Sequence, residues 1–189
     1  MDATVLLVMD VQQGIVEHGG ADPGYLDRLA AAVTAARAAG IRVIYVRIGF
    51  RPGHPEISAS NRTFAAAAAN GSFVEGSPGT EIHPAVAPGP DDLQVTKRRV
   101  SAFTGSDLDV VLRGLGAGTL VLTGIATSGV VLSTLRQAAD LDYQLVVLSD
   151  GCLDRDPEVH RVLTGKVFPR QAEVLTVADW TARLPHRSR

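Results

Sequence analysis

A chain of 189 residues, 46% hydrophobic and 20% charged, has the composition of a globular protein and the length of one domain with its own core. The formal net charge of -2 gives no basic footprint for nucleic acid or an anionic membrane, which leaves small molecules and proteins as partners. The single cysteine, Cys152, excludes an intramolecular disulfide and argues against a cysteine-based metal cluster. The opening MDATVLLVMDVQQG has no basic segment before its apolar run, which at roughly six residues is too short for a signal peptide or a membrane span. A cytoplasmic protein is expected.

Strand-like and helix-like segments alternate from there. TVLLVMD (4–10) is a short apolar run ending on Asp10, and YLDRLAAAVTAARAAG (25–40) has helical spacing and closes on Gly40, a C-cap residue. IRVIYVRI (41–48) is rich in β-branched residues and reads as the next strand. Residues 51–91 carry Pro, Gly and Asn with little periodicity beyond a short Ala-rich piece, FAAAAAN, at 64–70. An excursion of that length in a compact domain usually covers a site or makes a subunit contact.

Regularity returns with the strand LQVTK (93–97), a helix near 106–115, the strand TLVLTG (119–124) and a helix over about 128–140. YQLVVLSD (143–150) is a further strand. In DPEVHRVLTGKV (156–167), Asp156 is placed to cap a helix that has Pro157 at its first position. AEVLTV (172–177) is a sixth strand and ADWTARL a terminal helical turn. Short apolar strands separated by helices predict an α/β fold of three layers, α/β/α, around a mostly parallel six-stranded sheet. In the order 3-2-1-4-5-6 the first and fourth strands lie side by side, and their carboxyl ends flank the switch-point crevice. Asp10, Lys97 and the turn GIATSGV then share one edge of the sheet.

Five segments, LLVMDVQQG, GTEIHPAVAP, TKRRVSAFTGSDLD, LTGIATSGVVLST and LSDGC, occur in register over residues 4–176 and together resemble the isochorismatase-like hydrolases, also called the cysteine hydrolase family. The resemblance implies a Rossmann-like fold of this order, a single such domain over residues 1–189, and an Asp, Lys and Cys at the strand ends. Asp10 matches the Asp and Lys97 the Lys. The cysteine position, seven residues into the motif that begins at Gly124, holds Val130. Taken alone, Asp10 would read as a turn former and Lys97 as a surface charge; the shared motif makes them the catalytic candidates.

In cysteine members a carboxylate takes the thiol proton, a lysine favours the charged state, and the thiolate attacks a carbonyl beside backbone amides. Val130 can do none of this, and Cys152 lies in a different turn. The family also includes isochorismatases proper, which hydrolyse a vinyl ether by protonation and water capture and need no covalent nucleophile. For that chemistry Asp10 must regain a raised pKa by desolvation, because a neighbouring Lys lowers it. Valine fills space that a small residue would leave open, and Gly129 is the compensation at hand.

Further site residues follow from motif position: Gln12, Phe103, Ala126, Gly129 and Val130 as pocket wall, and Arg51 as receiver of an anionic group if its loop folds over the crevice. The resemblance also implies a cis peptide at Ile125–Ala126, whose amide array could bind an anion or polarise a carbonyl. His54 and His83 lack the Asp-x-His spacing of metal-binding relatives, so neither a metal nor another cofactor is expected. The family implies a homo-oligomer, dimer to tetramer. Three readings are open: a hydrolase using Asp10 and Lys97 on a small molecule, a catalytically inactive ligand-binding protein, and an oligomeric structural partner.

Overall fold

The structure, a computed structural model, describes residues 3–20 and 22–185. Strands β1 (Ala3–Met9), β2 (Arg42–Ile48), β3 (Leu93–Lys97), β4 (Ala117–Ile125), β5 (Gln144–Leu153) and β6 (Glu173–Leu175) form one sheet in the order β3-β2-β1-β4-β5-β6. Every neighbouring pair is parallel. The helices are α1 (Gln13–Val16), α2 (Tyr25–Ala39), α3 (Ala65–Asn70), α4 (Leu108–Gly114), α5 (Leu132–Asp140), α6 (Pro157–Val162) and α7 (Val177–Ala182).

The central strand shows why its sequence is apolar without alternation. Val5, Leu7 and Met9 face a core shared with α4 and α5, while Leu6 and Val8 face a second core shared with α2 and α7. A strand covered on both faces has no solvent side on which a polar residue could sit. In α2 the buried residues Tyr25, Leu29, Ala32, Val33 and Ala36 form one stripe, and Gly40 ends the helix at φ 74°. Asp156 accepts hydrogen bonds from the Glu158 and Val159 amides at 2.9 and 3.2 Å, with Pro157 opening α6.

Three boundaries differ from the sequence reading. The expected strand 143–150 continues to Leu153, because the β4–β5 ladder breaks after Leu122 and pairs again at Gly124 with Cys152 and Ile125 with Leu153. The residues after Asp150, read as a turn, belong to the strand beyond this irregular step. The helix expected from about 128 opens instead as a wide π-type turn, Thr127–Val131, in which Gly129 leaves helical geometry at φ -100° and ψ -106°. The helix expected over 156–167 keeps its α form only to Val162 and continues as a second π-type turn, Leu163–Val167.

Two residues hold the site's framework in place. Gly124 pairs with Met9 at φ 137°, and a Cβ added there would lie 2.1 Å from the Met9 carbonyl oxygen, so only glycine lets β4 approach β1 this closely. Gln12, fully buried, donates from Nε2 to the carbonyls of Ile48 and Thr80, each at 2.9 Å, and accepts from the Ile48 amide at 2.8 Å. It thereby pins the returning arm of the long excursion, which also meets the main body through His83 N–H to the Val11 carbonyl and Gln13 N–H to the Glu81 carbonyl.

Gln12→Ala should cost about 3 kcal/mol of stability, since it removes three buried hydrogen bonds to the backbone of Ile48 and Thr80; urea denaturation reads this, and a loss under about 1 kcal/mol would refute the clamp. Gly124→Ala should be more damaging, lowering the melting temperature by at least about 10 °C or preventing folding, and an unaltered melting curve would contradict the strand contact described here.

Candidate active site

Asp10 follows β1 immediately, its amide donating to the Val46 carbonyl at 2.8 Å. Its φ of 57° is left-handed, a conformation that Asp tolerates better than most residues and that turns the side chain out of the strand's alternation. Such a backbone persists where its surroundings hold it, as at functional sites. Lys97 ends β3, two strands away, so its reach to Asp10 spans the width of β2, on the order of 10 Å between strand axes. A long, unbranched side chain covers this gap. Nζ lies 2.8 Å from Asp10 Oδ2 and donates to the Arg99 carbonyl at 3.0 Å.

Both members of the pair are withdrawn from solvent, Lys97 at 2% and Asp10 at 6% exposure. Asp10 Oδ1 is buried with no hydrogen-bond partner. Burial pushes the Asp10 carboxyl above the usual carboxylate range, and the charge and hydrogen bond of Lys97 only partly oppose it.

Beyond Gly124 the chain passes through a cis peptide at Ile125–Ala126. The register that pairs Met9 with Gly124 sets this peptide beside Asp10. The expectation that the turn's amide array is available to a ligand needs correction at three positions. The amides of Gly129 and Val131 both donate to the Ala126 carbonyl, at 3.0 and 3.3 Å, and that of Ser128 to Asp154 Oδ2 at 2.7 Å. Thr127 Oγ1 lies 2.8 Å from His160 Nδ1, tying the turn to α6. A Cβ on Gly129 would meet nothing closer than the Ala126 Cβ at 3.8 Å, so space is open at that position.

Val130 is 2% exposed and belongs to the core that includes Phe103. Phe103 itself packs against Tyr143 with ring centroids 6.2 Å apart. Gln12 spends its amide on the backbone contacts above. The exposed guanidinium of Arg51 is paired with Glu56 at 2.6 Å. Glu56 also lies 3.6 Å from the Arg98 guanidinium, and its carbonyl accepts from Arg99 at 2.8 Å, so the loop is chained to the segment that follows Lys97. His54 is buried with Nε2 2.7 Å from the Ser72 carbonyl, and His83 Nδ1 accepts from the Ala85 amide. Cys152 is buried against the Leu122 carbonyl, and burial pushes its thiol up to about 12.

Two hollows open on this side of the molecule. One, of about 940 Å³, lies beside the cis peptide and is lined by Ile15, Phe73, Ile125, Ala126, Ser128 and Arg155, among others. The other, of about 650 Å³, includes Arg28, Asp150, Cys152 and His160, and Asp154 and Arg155 border both. Sequence reasoning singled out Ala126 but missed Asp154 and Arg155. Their only signal was position, at the carboxyl end of the fifth strand.

Comparison with known proteins agrees with this architecture. The Isochorismatase domain family model matches residues 4–179. Ureidoacrylate amidohydrolase RutB of Methylorubrum extorquens is 35% identical over 178 residues, covering 82% of this chain and 72% of its own. The uncharacterized isochorismatase family protein YecD of Escherichia coli O157:H7 is 32% identical over 187 residues, covering 93% of each chain. The structure of an isochorismatase family protein from Burkholderia thailandensis superposes with a TM-score of 0.82 at 31% identity, covering 96% of this chain and 95% of that one. With one family's model spanning the sheet and its Asp10 and Lys97 strand ends, and relatives above 30% identity along most of the sequence, this chain belongs to the isochorismatase family.

Proposed function

We propose that the chain is a small-molecule hydrolase in which Asp10 delivers a proton, Lys97 holds the carboxylate left behind, and water attacks without a covalent enzyme intermediate. The observation that carries this reading is the Asp10 carboxyl, held toward its acid form by burial although an ammonium lies 2.8 Å away. A carboxyl of raised pKa is a proton donor at pH values where an exposed one is already ionised. Attack by a thiolate has no residue to perform it, since Val130 occupies the motif position and the Cys152 thiol stays protonated well beyond neutral pH.

A vinyl ether of a 2-hydroxyacrylate, as in isochorismate, suits this inventory. Asp10 protonates the terminal methylene carbon, the ether oxygen shares the resulting positive charge as an oxocarbenium ion, and the Asp10 carboxylate faces that charge. Water adds to the cationic carbon and returns a proton to Asp10, and the hemiketal collapses to an alcohol and pyruvate. Lys97 keeps the carboxylate from being an isolated buried charge in the middle of the cycle. The name of the relative RutB makes a ureido acid the comparison substrate.

Pyruvate release from isochorismate by the purified chain, set against ammonia release from ureidoacrylate, tests the assignment. Asp10→Asn, shown by circular dichroism to be folded, should lose at least about 100-fold in pyruvate release. Ammonia from ureidoacrylate without pyruvate from isochorismate would replace the vinyl ether with an amide. Turnover unaffected in Asp10→Asn would remove Asp10 as donor.

The pH dependence has a definite sign. A required acid form means that kcat/KM falls as pH rises through the Asp10 pKa, with a midpoint above the ordinary 3.8. Lys97→Met removes a charge that lowers this pKa, so the midpoint should move to higher pH even as the maximal rate drops. A midpoint that stays fixed or falls would contradict the coupling. Because the folded state binds the Asp10 proton more tightly than the unfolded chain, the same group's stability contribution is present below pH 3.8 and is lost as pH rises through the raised value.

A further inference from the structure

We propose that Arg99 is a positioning residue for the buried acid: its guanidinium fastens the loop after β3 to the long excursion and so fixes how closely Lys97 is held on Asp10. The inference rests on the reading above only in making Asp10 the proton donor. Lys97 Nζ has two acceptors among the described residues, Asp10 Oδ2 at 2.8 Å and the Arg99 carbonyl at 3.0 Å. The second decides where the ammonium sits, because a long side chain held by one partner keeps rotamer freedom that two partners remove. That carbonyl belongs to a loop with no ladder of its own. Residues 98–104 form neither helix nor strand, and the backbone bonds within them, Arg98 N–H to the Thr104 carbonyl and Thr104 N–H to the Ser101 carbonyl, are both 3.3 Å long.

The Arg99 side chain supplies the missing hold. Its Nη1 donates to the Arg98 carbonyl at 2.6 Å and its Nη2 to the Glu56 carbonyl at 2.8 Å, so one planar group joins the peptide beside the Lys97 acceptor to backbone 43 positions away. Glu56 is held in turn: its Oε1 accepts from Arg51 Nη1 at 2.6 Å and lies 3.6 Å from Arg98 Nε. Arg98 extends the tie to Glu75 at 2.8 Å and to the Gly49 carbonyl after β2. Arg98 thus meets the excursion through carboxylates, whereas Arg99 meets it through backbone, next to the carbonyl that receives Lys97. The charge that acts on Asp10 is that of Lys97, so Arg99 reaches the acid through Lys97 and not through its own charge. An ammonium free to draw back opposes the burial of Asp10 less, and the carboxyl then keeps its proton to higher pH.

The test is a ¹³C NMR titration of the Asp carboxyl signals of the full chain, with Asp10 assigned by the signal lost in Asp10→Asn. Arg99→Lys keeps the charge and removes the fork, Arg99→Gln removes both, and circular dichroism checks that each is folded. The Asp10 midpoint should rise by at least about 0.5 pH unit in both. In a Lys97→Met background the same changes should leave it unmoved, because the link runs through that ammonium, and this comparison decides the question even where only one variant folds. A midpoint that stays at the wild-type value, one that moves in Arg99→Gln but not in Arg99→Lys, or one that moves equally without Lys97 would overturn the positioning role. A raised midpoint in a protein that releases no pyruvate from isochorismate would sink the hydrolase reading and leave this one standing. Pyruvate release with an unmoved midpoint would do the reverse.

Discussion

The site depends on a buried ion pair between strands that are not neighbours. Asp10 and Lys97 meet across β2 at 2.8 Å, withdrawn from water. Taking two charges out of solvent costs several kcal/mol per ion before their attraction is counted, and a hydrophobic pair of similar volume is often as stable or more so. Stability alone gives little reason to keep such a pair at a sheet edge. The surrounding contacts maintain it by holding its geometry: Asp10 at positive φ through the Val46 carbonyl, Lys97 through the Arg99 carbonyl, and the strand between them through Gln12 on both polar groups of Ile48. Each contact limits the freedom of the pair to separate or to admit water, and the imbalance at Asp10, with one oxygen paired and one not, is what remains available for chemistry.

The sheet was legible in the sequence because its signals are local. Residues 93–97 form β3 with the bounds read from the apolar run, Gly40 caps α2 in the left-handed region, and Asp156 caps α6 through its side chain. The strand order follows from handedness and from the presence of helices on both faces. Polar segments with long-range partners were not legible. The strand read as ending at Asp150 runs on through Gly151 to Leu153, because β4 offers a second stretch of pairing beyond its break. Gln12 reads as a pocket residue from its place after the Asp10 motif, but its three partners lie 36 and 68 residues away. No spacing rule within one chain announces such contacts. Asp10 and Lys97 became visible only because a family motif marked them; the ion pair joins residues 87 positions apart, and neither alone differs from a surface charge.

Val130 has a clear consequence for packing. Its side chain joins Phe103 and Val131 in the core that supports α5, so an apolar side chain here extends the core up to the turn that follows β4. Three of that turn's amides donate to the Ala126 carbonyl and to Asp154, acceptors within the chain that hold the turn. An oxyanion site must keep donors aimed at a developing charge. The Ser128, Gly129 and Val131 amides are committed to acceptors within the chain and are not free for that role.

Without a covalent nucleophile, an enzyme's leverage shifts from bond formation to placement. Water is abundant but unoriented, and a proton from Asp10 is useful only to a carbon held against it, so the rate depends on how narrowly the bound geometry is set. The segment after β5 then matters as much as the residues that end β1 and β3. Asp154 joins the turn carrying Ala126 to the backbone beside Arg155, and the close approach of Gly20 holds that backbone against the segment after α1. On the proposed reading, binding energy gathered away from the reacting carbon would hold that carbon at Asp10, which is how remote contacts raise a rate as well as an affinity. On the proposed reading, the isopropyl group at 130 leaves positioning to do what a thiolate does in cysteine-bearing relatives.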